Sequence, residues 1–197
     1  MSRVERLGSD AIAAALRPLY ERFTQGERDF TNQADILAHS PPAFIHLYGL
    51  IEALREESTL PQRIVEIAVV ATSRVNECAY CVGHHGAALI RHGLPAETVK
   101  AILDDDTPGL DEKERLVRDY ARLVTERAWG IRHQIFEKLR EHFNDREIVE
   151  LTVRIGLCGL FNKFNQALEI SIEDDVTREI TQSGLALSGI QPGENRR

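Results

Sequence analysis

The chain has 197 residues, 43% hydrophobic and 28% charged, with 24 basic against 31 acidic side chains and a formal net charge of −7. That length supports one sizeable core. The acidic balance, with a local basic pair only at Arg196 and Arg197, argues against a nucleic-acid or anionic-membrane partner. There is no run of 18 or more apolar residues and no N-terminal apolar segment of signal type, and three cysteines are too few for a secreted disulfide scaffold. A soluble chain in the reduced cytoplasm is therefore the expectation.

Ile12, Leu16, Leu19 and Phe23 recur at three- and four-residue steps and predict a helix over about 9–23. Ser40-Pro41-Pro42 opens a second, carrying Phe44, Leu47, Leu50 and Leu54 on its packing side. From 60 to 75 the apolar residues Ile64, Ile67, Ala68, Val70 and Ala71 again have helical spacing, and Pro61 suits a first turn. Glu66 thus sits on the helix before Asn76-Glu77, where the next helix begins.

That next helix opens on Cys78-Ala79-Tyr80-Cys81, followed by His85. Steps of three and four residues at 100° each put the two thiols and the imidazole on one face. Thiols react as thiolates, and a helix N-terminus or a neighbouring imidazolium lowers a thiol's pKa. A structural zinc site wants four well-spread ligands. The third cysteine, Cys158, lies in an apolar run, and His84 and His85 crowd the same helix, so no metal and no other cofactor is expected. The residue types point to a dithiol redox centre. Glu66 reaches His85 only if the two helices pack antiparallel.

Gly93 caps this helix, Leu94-Pro95 restarts a short one to about Leu103, and residues 104–110 form a breaker and candidate hinge between two halves. Helices follow over about 111–129, 133–143 and 145–170, the last with Leu151, Ile155, Leu160 and Phe164 on its buried stripe. Trp129 and the phenylalanines read as core, Cys158 as a buried hydrophobe, His84 as an exposed neighbour, and the remaining histidines as surface or packing groups. No stretch alternates as a strand would. The expectation is one all-α domain over 1–197, with 174–197 a flexible or subunit-contacting tail.

Glu66, Cys78, Cys81 and His85 together form E-x11-C-x2-C-x3-H. This resembles the active-site signature of alkylhydroperoxidase D and of the CxxC-containing, peroxidase-related members of the carboxymuconolactone decarboxylase family, and residues 66–89 are similar throughout. The stretches 145–156 and 161–168 resemble the long closing helix of those members. Lys163 stands where arginine is often found, and Tyr80 where some alkylhydroperoxidase D proteins carry histidine. The resemblance implies an alkylhydroperoxidase D-like helical bundle with the CxxC at the N-terminus of a central helix, assembled as a homo-oligomer.

It also implies a thiol-dependent peroxidase. Glu66 would be the distal base, His85 the relay, and Cys78 with Cys81 the reacting pair. A hydroperoxide would be the substrate, and an external dithiol or thioredoxin-like protein the reductant. Spacing alone leaves the order of the thiols open. Cys81, one turn from His85, is favoured as the attacking thiol, and Cys78, nearer the helix start and more open to a partner disulfide, as the resolving one. The alternative is a redox-sensing or disulfide-exchange adaptor using the same dithiol. Lactone decarboxylation is disfavoured, because a thiol pair has no evident part in loss of carbon dioxide.

Overall fold

The computed structural model describes residues 2–25 and 29–185, and among these every regular element is helical. Helix α1 (Arg17–Thr24) is shorter than the periodicity over 9–23 predicts. Pro18 is the reason: its ring would clash with the carbonyl four residues back, so the helix begins just before it, and residues 9–11 form a separate 3-10 turn. Helix α2 (Thr31–Leu37) does not announce itself by periodicity, yet six of its seven residues are buried. Helices α3 (Pro41–Glu57) and α4 (Gln62–Val75) start where their prolines place them.

Helix α5 (Ala79–Arg91) follows a tight turn, and Gly93, at φ 89°, ends it in the left-handed conformation that glycine tolerates best. Helix α6 (Ala96–Lys100) is a single short element. Capping boxes open α7 (Glu112–Arg127) and α9 (Asp145–Ala167). Asp111 and Glu114 exchange bonds of 2.8 and 3.0 Å, and Asn144 and Glu147 bonds of 3.0 and 2.9 Å. Between them lies α8 (His133–Arg140), and α10 (Asp174–Gln182) closes the described chain.

Helix α4 is the hub. Its residues from Ile64 to Ser73 are all buried, because α5, α7 and α9 pack around it. A helix that is apolar on every side has to be buried on every side, and the one carboxylate in that run, Glu66, must find partners there. The main core continues from Ile102 to Leu110 and Val117, across the 104–110 turn. A second cluster joins α1, α2 and α3 to Phe161 of α9.

Four expectations need correction. Leu50 is 40% exposed and not on the packing side of α3, where Phe44 and Tyr48, a step of four apart, are the buried residues. Leu160 is 42% exposed and not on the buried stripe of α9, since steps of three and four from Leu151 and Ile155 lead to Cys158, Asn162 and Asn165 instead. Trp129 is 91% exposed: it lies in a 3-10 turn just past the end of α7, beyond the packed surface. Residues 174–185 are no loose tail. Val176, Ile180 and Leu185 are buried in the core, and α10 lies on the small-residue face of α5 made by Gly83 and Gly86. The expectation for 186–197 concerns residues outside those described. No helix among the described residues is long and apolar enough to cross a membrane.

Candidate active site

The α4–α5 connection sets the site. Glu77 takes a left-handed conformation (φ 54°), and the Cys78 N–H donates to the Ser73 carbonyl at 2.9 Å. Gln166 on α9 clamps the turn by donating to the carbonyls of Asn76 and Glu77 at 2.7 and 3.0 Å. The chain thereby reverses, and α4 and α5 run antiparallel as the reach from Glu66 to His85 demands. His85 Nδ1 lies 2.8 Å from Glu66 Oε2, and Gln62 Nε2 donates to Glu66 Oε1 at 2.7 Å. Burial works against the Glu66 carboxylate, but the charge and hydrogen bond of His85, with the bond from Gln62, outweigh it and hold its pKa below the ordinary range.

Cys78 is the N-cap of α5, and its sulfur accepts from the Cys81 N–H at 3.5 Å. The two Sγ atoms are 3.1 Å apart and both thiols are free. The hydrogen bond shared with Cys81 lowers the pKa of Cys78 against the opposing effect of burial. The same bond, reinforced by burial, raises that of Cys81. Of the pair, Cys78, at the helix N-terminus, is the more acidic thiol. Cys78 is also the more deeply buried, at 1% exposed against 5% for Cys81. The expectation that it faces a partner is thus reversed, because the N-cap position turns its side chain inward over the first turn.

A cavity of about 100 Å³ is lined by Cys81, His85 and Glu66, while Cys78 does not line it. Phe30, Val65, Val69, Leu157 and Phe161 make much of the rest apolar, and Arg55 and Arg154 contribute cationic groups. Cys158 lines the same cavity and is only partly buried on the residue scale. Burial of its thiol pushes the pKa up to about 12, so it remains a neutral thiol beside Ser73, 3.3 Å away. All four signature residues thus gather in one place, as two hydrogen-bonded pairs.

Several neighbours had no signal in the signature. Glu173, the N-cap residue of α10, accepts from Tyr80 Oη at 2.9 Å and from the Asn32 N–H at 2.8 Å, and its other oxygen lies 2.7 Å from His84 Nε2. His84 is buried, not exposed. It stacks on Phe30 with ring centroids 4.3 Å apart, and burial lowers its pKa, which keeps it neutral. Asn165 donates to Cys81 Sγ at 3.2 Å. The one hint in the sequence was a pair of amides, Asn162 and Asn165, a turn apart in the apolar closing helix, where a buried polar group must have a partner. Among the described residues no group of three or more His, Cys, Asp or Glu side chains is placed to hold a metal ion.

Residues 41–123 match the carboxymuconolactone decarboxylase family. The uncharacterized protein YnjA of Escherichia coli K12 is 24% identical over 117 residues. The match covers 59% of this chain and 64% of that protein, so it spans less than two thirds of the relative. An uncharacterized peroxidase-related protein of Ralstonia eutropha JMP134, with an alkylhydroperoxidase D core, superposes with a TM-score of 0.79 at 26% identity, over 89% of this chain and 94% of that one. A cysteine-to-alanine variant of the debrominase Bmp8, in complex with 2,3,4-tribromopyrrole, shares the fold with a TM-score of 0.76 at 18% identity, over 91% and 96% of the two chains. With its signature residues assembled on such a bundle, the chain has the alkylhydroperoxidase D-like fold, and the segment 41–123 that carries the signature is similar to the carboxymuconolactone decarboxylase family.

Proposed function

We propose that the protein is a thiol-dependent peroxidase that reduces hydroperoxides through a Cys78–Cys81 dithiol-disulfide cycle, with Glu66 and His85 as proton relay. The observation that carries this reading is the small cavity that Cys81 and the His85–Glu66 pair line together, with the Cys78 sulfur 3.1 Å from that of Cys81 and off the cavity. A hydroperoxide in the cavity meets Cys81. The thiol proton passes to His85, whose ring Glu66 orients and whose positive charge Glu66 balances. The Cys81 sulfur attacks the terminal peroxide oxygen and the O–O bond breaks. The leaving alkoxide takes the proton from His85 as alcohol, and Cys81 becomes a sulfenic acid.

The Cys78 sulfur then attacks the Cys81 sulfur, forming the disulfide, and its thiol proton leaves with the expelled hydroxide as water. An external dithiol supplies two electrons and two protons to restore the pair. Burial of both sulfurs weighs against the adaptor reading, in which a folded partner must reach the disulfide directly.

The test is consumption of tert-butyl hydroperoxide by the reduced protein with dihydrolipoamide, beside Cys78→Ser and Cys81→Ser. Turnover should vanish in both variants, and only Cys78→Ser should accumulate a dimedone-trappable sulfenic acid, on Cys81. A wild type that forms its disulfide reversibly but does not turn over peroxide is instead a redox sensor or adaptor.

A further inference from the structure

A line of buried side chains ends on the Cys81 sulfur. Tyr48 Oη donates to Gln33 Oε1 at 2.9 Å, Gln33 Nε2 donates to Asn165 Oδ1 at 2.9 Å, and Asn165 Nδ2 donates to Cys81 Sγ at 3.2 Å. The three partners come from α3, α2 and α9, and all are buried. An amide has nearly the same outline when its oxygen and nitrogen trade places, so Gln33 and Asn165 would fit their sites either way round. The reversed line would point the Asn165 oxygen at the sulfur. That arrangement favours a protonated thiol and opposes an anion.

The phenol decides between the two. Burial raises the Tyr48 pKa well above the usual phenol value, so the hydroxyl keeps its hydrogen. Gln33 is its hydrogen-bond partner among the described residues. Were Gln33 reversed, its N–H would face the phenol oxygen, and the phenol hydrogen would be left in an apolar setting without an acceptor, a condition folded proteins avoid. The direction from Tyr48 to Cys81 is therefore fixed at its far end.

We propose that Asn165 is a catalytic residue of the dithiol centre, holding an N–H against Cys81 sulfur in an orientation set by Gln33 and Tyr48, which act as positioning residues. The proposal rests on the reading of Cys81 as the attacking thiol. The titratable and charged groups around that sulfur are Cys78, Tyr80 and His85 from α5 and its cap, Glu66 from α4, Cys158 and Arg154 from α9 and Arg55 from α3, the two arginines lining the cavity and paired with Glu150 and Glu52. Glu66 and Cys78 carry or attract negative charge, so a further anion on Cys81 needs a donor with no proton to lose. A neutral amide meets that need at every step of the cycle.

The test labels the reduced full chain with iodoacetamide over a pH series and reads Cys81 by site-resolved mass spectrometry. Asn165→Asp keeps the shape and the bond from Gln33 but turns a carboxylate oxygen to the sulfur. It should move the Cys81 labelling midpoint upward by about one pH unit or more. Tyr48→Phe, a change three hydrogen bonds from the sulfur, should move the midpoint in the same direction by less, because it frees both amides to reverse. Cys81 curves that coincide with wild type in both variants would overturn the proposal, since a packing role alone lowers the melting temperature and leaves the curve in place. If Asn165→Asp does not fold, Tyr48→Phe decides alone, and an unmoved curve overturns the proposal. Labelling uses no peroxide: shifted curves without peroxide turnover would retain the Asn165 role and discard the peroxidase reading.

Discussion

Glu66 is a carboxylate within the buried run of the hub helix α4, and it stays charged because His85 and Gln62 close on both of its oxygens. Its pKa in the fold lies below the unfolded value near 4.5, so its contribution to stability is complete above that value and is lost as the pH falls through the lower, folded one. Glu66→Gln should therefore be less stable than wild type at neutral pH, with the gap closing on acidification below pH 4.5; urea titrations at a series of pH values check this, and a gap constant with pH would disprove it. In turnover, Glu66→Gln and His85→Gln should each lower kcat/KM for hydroperoxide by about 10²-fold or more, the usual scale of acid–base assistance. Trp129 gives the opposite lesson. As a core residue its removal would cost about 3–5 kcal/mol, but at 91% exposed Trp129→Ala should shift stability by no more than about 0.5 kcal/mol. The four signature residues were legible because they lie within twenty positions of one another and their spacing maps onto two helices. Asn165 and Glu173 were not, because they reach the site across 84 and 89 residues of chain, and no local pattern encodes such pairings.

At the scale of elements, apolar periodicity and prolines decided most of what the sequence revealed, and the structure adds the capping boxes that fix two further starts. Helices α3, α4, α7 and α9 begin where Pro41, Pro61, Asp111 and Asn144 place them. Pro18 was the signal that the first predicted helix had to be shorter, and α2 and α10, of seven and nine residues, were missed because their burial comes from contacts with distant segments. The docking of α10 depends on two glycines. A Cβ at Gly83 would stand 2.9 Å from Ile180 Cδ1, and one at Gly86 would stand 2.7 Å from Leu185 Cδ2. An alanine meets only the ends of flexible side chains and is accommodated by small shifts, but Gly83→Leu has no space and should cost about 1–3 kcal/mol. Since Glu173 sits at the start of α10 and holds both Tyr80 and His84, the amides of residues 174–182 should exchange faster in that variant, with the melting temperature lowered. Unchanged exchange in a folded Gly83→Leu protein would show that α10 is not seated through this contact.

For the whole molecule, the exposed side of α9 is the feature a single chain leaves unexplained. Val149 is 63% exposed and Val153 and Leu160 are 40% and 42%, and with Gly156 they follow steps of four, three and four along one stripe. A Cβ added at Gly156 would meet nothing within 4 Å in its own chain, so its packing here does not require glycine, whereas a second helix crossing closely would. Two copies of α9 laid antiparallel about a two-fold axis bring Val149 of each against Leu160 of the other, with Gly156 and Val153 near the axis, a self-complementary arrangement of the kind closed dimers use. The predicted solution species is thus a multiple of the 22.2 kDa chain, and Val153→Glu, which places a charge at the centre of the stripe, should return it to the mass of one chain in sedimentation at micromolar concentration. A wild type that sediments as a 22.2 kDa species would rule out self-association through α9. The buried side of the same helix carries Cys158 and Asn165, so association would brace the element that holds the amide against the Cys81 sulfur. If so, Val153→Glu should weaken turnover while leaving the Cys81 labelling midpoint unmoved, because the local hydrogen bond survives in each chain and only the rigidity of its support is reduced.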